Sequence, residues 1–159
     1  MEVLVEQAAS PAQWSEAAAL IRAYLGELPF EIDFQDLDRE LVELASEYGP
    51  PSGAGLLARA ADGGGALGFV GVRTFDAAEG DAELKRMYVA PAARGRRVGR
   101  ALAVGAVHAA RQLGYRRLLL DTVASMTTAI GVYESLGFVP IEAYRHNPLP
   151  DARYFALDL

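Results

Sequence analysis

The chain has no cysteine among its 159 residues, and this absence excludes several kinds of chemistry. Disulfide bonds, thiolate nucleophiles and cysteine-based metal sites are all unavailable to it. The sequence also has only two histidines, His108 and His146. Two histidines are too few for a zinc site unless carboxylates complete the ligand set. We therefore expect a protein with no bound metal.

Two further absences concern membranes and nucleic acids. No apolar run reaches the roughly 18–20 residues that a membrane-spanning helix needs. The acidic, strand-like start at residues 1–6 is unlike a secretory signal. The net charge is −6, whereas broad nucleic-acid binding depends on a basic surface. We expect a soluble, cytoplasmic protein that binds neither membranes nor nucleic acid.

What the sequence does have is an ordinary globular balance, with 52% apolar and 23% charged residues. Its length suits one domain over residues 1–159 with a substantial core. Apolar periodicity and turn residues predict the order β-α-α-β-β-β-α-β-α-β-β, a mixed α/β fold. The predicted elements span residues 3–7, 11–25, 34–48, 55–60, 66–75, 82–89, 98–113, 117–123, 127–136, 138–144 and 153–159.

The most informative segment is a turn between a predicted strand and the following predicted helix, with four arginines in seven residues. Backbone N–H groups at a helix start lack partners within the helix, and the helix dipole adds positive charge there. Such a turn suits a phosphate group. The alternative is a solvated helix start. The segment consists of Arg94, Gly95, Arg96, Arg97, Val98, Gly99, Arg100 and Ala101.

Three more motifs accompany this turn: Leu-Lys-Arg-Met-Tyr-Val-Ala-Pro at 84–91, Tyr-Glu-Ser-Leu-Gly-Phe at 133–138, and Tyr-Arg-His-Asn-Pro at 144–148. Together with the order of elements, they resemble the GNAT superfamily of acyl-CoA-dependent N-acyltransferases. The family pattern in the turn is Gln or Arg, two residues, Gly, one residue, then Gly or Ala. Arg94 matches the first position and Gly99 the last, while Arg97 stands where the family usually has glycine.

The resemblance implies a central mixed, mostly antiparallel sheet with a splay between the fourth and fifth strands. It implies acetyl-CoA as the acyl donor, with its pyrophosphate at the arginine-rich turn. The fourth strand would carry a bulge, and the main chain of Met87 and Val89, around Tyr88, would pair with the pantetheine arm. Homodimers are common in the family, so a homodimer is also possible.

Two side chains are candidates for catalysis by the same resemblance. Tyr133 occupies the position of a tyrosine whose hydroxyl faces the sulfur of CoA and acts as the acid; the alternative is a core tyrosine. Glu83 is the candidate base, acting through water. Its alternative is a surface glutamate or an ion-pair partner of Lys85 or Arg86. Strand periodicity predicts Glu83 and Met87 on one face, and the backbone N–H of Met87 or Val89 would stabilise the oxyanion.

The acceptor site of the family lies between the first two helices and the late strands. Glu31 and Asp33 would suit a cationic amine, or they belong to a solvated loop. Histidine is the side chain best suited to proton exchange at physiological pH, so His146 is a candidate for proton transfer, or it is a loop residue. Many family members have asparagine at the position of Met126, so Thr127 or Thr128 would replace its hydrogen bond. The acceptor candidates are Tyr24, Phe30, Glu31, Asp33, Arg145 and His146.

The sequence thus predicts an N-acetyltransferase that moves an acetyl group from acetyl-CoA to the primary amine of a small or amino-acid-like acceptor. Transfer would proceed by direct attack in a ternary complex. Two alternatives stay open: a protein or peptide amine acetyltransferase, and a non-catalytic acyl-CoA-binding module. A dinucleotide-binding fold is disfavoured, because the turn lacks the G-x-G-x-x-G pattern.

Overall fold

A computed structural model describes residues 1–29 and 34–159 of the chain. The predicted order of helices and strands is confirmed. The strands are β1 (Val3–Gln7), β2 (Ala54–Ala60), β3 (Gly68–Asp76), β4 (Asp81–Val89), β5 (Arg117–Val123), β6 (Val139–Pro140) and β7 (Ala152–Asp158). The helices are α1 (Pro11–Glu27), α2 (Phe34–Val42), α3 (Leu44–Tyr48), α4 (Val98–Gln112) and α5 (Thr127–Ser135).

Two predicted elements differ from those observed. The helix predicted over 34–48 is divided at Glu43, whose φ of −112° and ψ of 30° leave helical geometry. Its N–H still donates to the Arg39 carbonyl, so α3 follows α2 almost directly. The strand predicted over 138–144 narrows to Val139–Pro140. Proline has no N–H to donate to the ladder, which explains why regular pairing stops there.

The seven strands form one sheet in the order β1-β2-β3-β4-β5-β7-β6. Every neighbouring pair is antiparallel except β4 and β5, which run parallel. These two strands pair only where Asp81–Glu83 lies beside Arg117–Leu119. Beyond Glu83 they separate, so the expected mostly antiparallel sheet and its splay are confirmed.

Helices cover both faces of the sheet. On one face, α4 packs Leu102 and Ala106 against the apolar residues of β2, β3 and β4. On the other face, α1 and α3 pack Ile21 and Tyr48 against Phe69 of β3. Burying apolar side chains on both faces explains why the central strands are so rich in them. Within the part of the chain that the structure describes, no helix is both long and apolar enough to cross a bilayer.

Glycine allows one close approach on the second face. Gly55 and Gly71 lie opposite each other in the β2–β3 ladder. The ring of Trp14 lies over Gly55, and the ring of Tyr48 lies over Gly71. A Cβ atom at Gly71 would lie 2.5 Å from the Tyr48 ring, so a larger residue would push α3 away from the sheet.

Candidate active site

A β-bulge in β4 shapes the splay. Arg86 takes a left-handed backbone conformation with φ of 59°, and the β3–β4 register shifts between Phe69 and Gly71. An extra residue in one strand reverses the alternation of side chains beyond it. Leu84 and Met87 therefore both face α4, although they are three residues apart. The expectation that Glu83 and Met87 share a face is wrong, because the bulge lies between them.

The end of β4 turns main-chain groups toward the gap. Ala90 donates its N–H to the Leu67 carbonyl beside β3. By the alternation of an antiparallel ladder, the N–H and C=O of Val89 point away from β3. The Val89 carbonyl indeed accepts a hydrogen bond from Arg94 Nε at 3.1 Å. Met87 lies in the bulge between Lys85 and Tyr88, and it has no partner residue in the β3–β4 register.

The arginine-rich turn presents a row of free backbone donors. Arg97 precedes α4 with φ of 62° and ψ of 20°, a left-handed conformation that Gly95 also adopts at φ of 77°. Because Gly95 and Arg97 are left-handed and Arg96 between them is not, the backbone N–H groups of the turn point away from α4. Within the described residues, no backbone N–H from Gly95 through Arg100 has a hydrogen-bond partner. Consecutive free N–H groups at a helix start form a concave site for an anion.

A cavity of about 800 Å³ lies against this turn and the end of β4. Of the residues predicted to bind the acyl donor, it is lined by Met87, Tyr88, Val89, Arg94, Gly95, Arg97, Val98, Gly99 and Arg100. Arg96 and Ala101 do not line it. The exposed Arg96 guanidinium instead approaches Met1 Sδ at 3.8 Å.

Arg94 joins three parts of this cavity wall. Its Nη2 contacts both carboxylate oxygens of Glu27, at 2.9 and 3.0 Å, at the end of α1. Its guanidinium also lies 5.6 Å from the centre of the Tyr88 ring. Together with the hydrogen bond to the Val89 carbonyl, these contacts connect the end of α1 to the arginine-rich turn. The ion pair itself is exposed, so it contributes little stability.

The opposite wall of this cavity is the start of α5. Met126 precedes the helix, and both Thr127 and Thr128 line the cavity beside it. Both threonines expected to replace the hydrogen bond of an asparagine at Met126 therefore line this cavity, and that role stays a prediction. Arg100 reaches across from α4 and donates to the Ser135 hydroxyl at 2.8 Å, which ties the two helices together.

Tyr133 lies on α5 at the mouth of the splay, with 5% of its surface exposed. Among the residues that the structure describes, its hydroxyl has one weak partner, Met87 Sδ at 3.9 Å, and its ring packs against Phe138. Burial raises the pKa of the Tyr133 hydroxyl above its usual value, because removing water disfavours the phenolate. The hydroxyl is therefore protonated throughout the physiological pH range, as a proton donor must be.

A second cavity, of about 540 Å³, lies on the other side of the gap between β4 and β5. Tyr24, Met87, Met126 and Ala129 line both cavities, so the two meet at the splay. Tyr133 lines the second one only. Burial raises the pKa of the Tyr24 hydroxyl, and the nearby Arg86 only partly offsets this effect.

Glu83 is fully buried, with 0% of its surface exposed. Its Oε1 accepts from Arg145 at 2.9 Å and from Arg73 at 3.3 Å, and its Oε2 accepts from the Tyr144 hydroxyl at 2.7 Å. A buried carboxylate with both oxygens occupied is a satisfied one. The structure thus excludes a surface glutamate, and neither Lys85 nor Arg86 is its partner. Its role as general base stays a prediction.

Two further charged groups line the second cavity, and sequence reasoning missed both. Lys85 Nζ lies 3.3 Å from Asp121 Oδ1, and Asn147 donates to Asp121 Oδ2 at 3.1 Å. Burial lowers the pKa of the Lys85 amine, which its two acidic neighbours partly offset. Asp121 follows three leucines in β5, near the carboxyl end of a parallel strand. Functional groups often lie at that end of a parallel strand, so the position of Asp121 in the sequence could have indicated its place in the site.

A second buried network lies beneath α2. Glu40 accepts from Arg86 Nε at 2.9 Å and from the Tyr48 hydroxyl at 2.8 Å. Arg73 lies within 3.5 Å of Glu40 and 3.3 Å of Glu47. These contacts hold Arg86 in its left-handed conformation at the bulge. Local sequence patterns did not predict them.

The remaining predicted acceptor residues divide in two. Tyr24, Arg145 and His146 all line the second cavity. Phe30, Glu31 and Asp33 lie outside the described residues. Within residues 1–29 and 34–159, no three potential metal-ligating side chains cluster closely enough to hold an ion.

A sheet splayed at its parallel pair, with a free-donor turn on one side and a polar cavity on the other, is the arrangement that the resemblance to acyl-CoA-dependent N-acyltransferases implies. Comparison with known proteins makes the class specific. Residues 17–138 match the acetyltransferase (GNAT) family. An uncharacterised N-acetyltransferase of Schizosaccharomyces pombe is 37% identical over 149 residues, covering 94% of this chain and 90% of its own. The chain belongs to the GNAT acetyltransferase family.

Solved structures support the fold. A GNAT acetyltransferase of Staphylococcus aureus superposes with a TM-score of 0.79 at 19% identity, covering 99% of both chains. A candidate acetyltransferase of Salmonella typhimurium, solved with its cofactor acetyl-CoA, gives a TM-score of 0.71 at 18% identity. That match covers 98% of this chain and 93% of the other.

Proposed function

We propose that the protein transfers the acetyl group of acetyl-CoA to the primary amine of a small-molecule acceptor. The observation that carries this proposal is the meeting of two cavities at the splay, beside the Tyr133 hydroxyl. One cavity would hold the donor and the other the acceptor. Direct attack requires both substrates to be present at one point, and two joined cavities provide that arrangement.

The donor cavity has the chemistry that a pyrophosphate and a pantetheine arm need. The free N–H groups from Gly95 to Arg100 suit the phosphates, as do Arg94, Arg97 and Arg100, the arginines of the turn that line the cavity. The main-chain groups of Met87 and Val89 suit the amides of the arm, as an added strand would. Acetyl-CoA supplies the acetyl thioester at the splay.

Tyr133 is the proposed acid. Its protonated hydroxyl lies at the wall where the two cavities meet, and its weak contact with Met87 Sδ leaves it available to a better acceptor. The backbone N–H groups of Met87 and Val89 are the proposed oxyanion donors: Val89 follows the ladder position that faces away from β3, and Met87 lies in the bulge. Together the backbone donors would stabilise the developing oxyanion, and Tyr133 would protonate the departing sulfur. The proton that the amine nitrogen loses would then return to the Tyr133 oxygen, directly or through water.

Glu83 is better suited to positioning than to direct proton removal. No part of its surface is exposed, and its partners are two arginines and a tyrosine. A base must reach the amine directly or through one water. We propose that Glu83 holds Arg145 and Tyr144 in place, and that the amine reacts in the neutral form that it brings from solution.

The volume of the second cavity supports a small acceptor. That volume, about 540 Å³, lies within the usual range of small-molecule sites, roughly 300–1,000 Å³. A peptide acceptor is the competing proposal. Parallel assays with small primary amines and with short peptides, both monitored by CoA release, separate the two.

The donor site is tested by calorimetric titration of acetyl-CoA and CoA. The test variant is Arg94→Gln/Arg100→Gln, which removes two cations from the cavity wall. The matched control is Arg96→Gln/Arg111→Gln, which makes the same change of charge away from that wall. We expect micromolar binding by the wild type and the control, and at least roughly tenfold weaker binding by the test variant.

Absence of CoA binding by the folded wild-type protein would refute the donor assignment. Tight binding without turnover on any amine or peptide would instead indicate a non-catalytic acyl-CoA-binding module. Full activity of both Tyr133→Phe and Glu83→Gln on an identified acceptor would remove the proposed roles while leaving the enzyme class intact.

A further inference from the structure

The wall of the acceptor cavity carries more positive than negative side chains. Among the described residues that line it, the cations are Arg39, Arg73, Lys85, Arg86 and Arg145. The carboxylates on the same wall are Glu40, Glu47 and Asp121, with the buried Glu83 directly behind two of the arginines. The chain as a whole has a net charge of −6, so this local surplus of cations is unusual for it.

Three of the four carboxylates of this region have both oxygens occupied, and the fourth, Glu47, pairs through Oε2 with Arg73 at 3.3 Å. Both oxygens of Glu40 accept from Arg86, and Oε1 also accepts from the Tyr48 hydroxyl. Both oxygens of Asp121 accept, one from Lys85 and one from Asn147. Both oxygens of Glu83 accept as well. An ammonium group would have to displace an internal partner to bind any of the three.

Most of the unused hydrogen-bonding capacity among the described residues belongs to the cations. Arg145 has five N–H donors, and among the described residues its side chain donates only from Nη2 to Glu83. Its Nε–H is buried and has no partner there. Lys85 has three N–H donors and uses one. A buried donor without a partner is rare in a native protein and calls for an acceptor.

The guanidinium of Arg145 is also held in a defined plane. It lies 5.4 Å from the centre of the Phe75 ring and 5.8 Å from that of Tyr144. Stacking and the bond to Glu83 restrict its motion, yet 32% of the side chain is exposed. A planar fork of donors held in this way matches the two oxygens of a carboxylate. The Nη1 N–H groups have no hydrogen-bond partner among the described residues and can donate to such a ligand.

We propose that the acceptor carries an anionic group, such as a carboxylate, next to its reactive amine, and that Arg145 binds this group with Lys85 as a second donor. The inference rests on the proposed function, because it names the class of acceptor for that site. It excludes polyamines as good acceptors, since their additional cations would face the surplus of positive charge. Amino acids and related amino-carboxylates are the class that fits.

Matched ligands test the proposal without any mutation. The probes are three N-acetylated triads: the N-acetyl derivative of an amino acid, of its amide and of its decarboxylated amine, for leucine, phenylalanine and methionine. Each is titrated calorimetrically into the complex of the protein with CoA. We expect at least one acid to bind roughly 10- to 100-fold more tightly than its two neutral partners, as expected for a charged hydrogen-bonded pair. Equal or tighter binding of the neutral compounds, or no binding by any acid, overturns the proposal.

Variants of Arg145 then test whether this residue causes the preference for the acid over the neutral compounds. Arg145→Gln is expected to remove the difference between acid and amide, while the exposed Arg153→Gln, with the same change of charge, leaves it intact. Arg145→Lys keeps a cation beside Glu83 without the planar fork, and we expect an intermediate preference even if Arg145→Gln folds poorly. Full preference in a folded Arg145→Gln or Arg145→Lys protein overturns the assignment to Arg145.

CoA binding is measured in the same samples, so that the two proposals fail separately. Loss of CoA binding in the wild type refutes the donor assignment. Intact CoA binding without preference for acids refutes only the inference about the acceptor. Relative turnover of leucine, leucinamide, 3-methylbutylamine and spermidine provides a second reading, in which the amino acid should react fastest and spermidine slowest.

Discussion

Replacing Glu83 by glutamine distinguishes a positioning role from a catalytic one. The substitution keeps the shape of the side chain but removes its charge and turns one acceptor oxygen into a donor NH₂ group. That group would face either the two arginines or the Tyr144 hydroxyl, all of which now donate to Glu83. Tyr144 can rotate its hydroxyl to accept instead, but the loss of charge cannot be repaired in this way.

The expected loss of stability in Glu83→Gln depends on the contacts that Arg73 and Arg145 keep after the substitution. Breaking a fully buried ion pair costs about 3–5 kcal/mol. Arg73 keeps Glu40 and Glu47, and Arg145 is one-third exposed to water. We therefore expect a smaller loss of about 2–3 kcal/mol. In a chain of this length that loss corresponds to a fall in Tm of roughly 4–12 °C.

The assay combines thermal unfolding with steady-state kinetics of Glu83→Gln, with Glu79→Gln as a control. Glu79 lies exposed in the turn before β4, so its replacement should change stability by less than about 0.5 kcal/mol. A positioning role predicts a lower Tm and a higher acceptor KM, with an unchanged pH–rate profile. An unchanged Tm together with a kcat lower by about 10²–10⁴-fold and a lost acidic limb would refute this reasoning and make Glu83 the base.

Three further predictions concern backbone strain and tyrosine ionisation. Tyr133→Phe should lower kcat by roughly 10²–10⁴-fold in a CoA-release assay while CoA affinity stays the same; undiminished kcat would contradict the acid role. Arg97→Gly removes a left-handed strain of about 1–2 kcal/mol but adds glycine's entropy cost of about 0.5–1 kcal/mol. Urea unfolding should therefore show unchanged or slightly higher stability, and a clear loss would show that the Arg97 side chain stabilises the turn. Burial raises the pKa of Tyr48, Tyr133 and Tyr144 in the folded state, so their contribution is present below about pH 10 and lost as the pH rises further. Thermal melts from pH 8 to 11 should show a falling Tm, less steeply in Tyr133→Phe; equal slopes in both proteins would contradict burial of that hydroxyl.

The sequence predicted those features that depend on local patterns. The turn at Arg94 and the start of α4 follow from glycine, arginine and apolar periodicity within a few residues, and the splay followed from the family pattern around them. The length of β6 was missed because Pro140 limits pairing with a distant strand. The faces of β4 were misjudged because one extra residue at Arg86 reverses every side chain after it.

The ionic networks could not be predicted, because their members are far apart in the chain. Glu83 meets Arg145 across 62 residues, and Lys85 meets Asp121 across 36. Composition and spacing carry no signal for such pairings. Asp121 had a weak positional signal at the end of an apolar parallel strand, whereas Glu40 on α2 had none.

Both cavities depend on one local distortion of the backbone, the bulge at Arg86. A regular β4 would continue its ladder with β5, and no gap would open beside Tyr133. The left-handed residue at the bulge is costly for any side chain with a Cβ atom, and arginine offsets part of that cost through its ion pair with the buried Glu40. Glu40 in turn holds Tyr48, whose ring fills the space above Gly71. The packing of α2 and α3 on one face of the sheet thus stabilises the backbone distortion that opens the site, which explains why so many charged groups are buried beneath it.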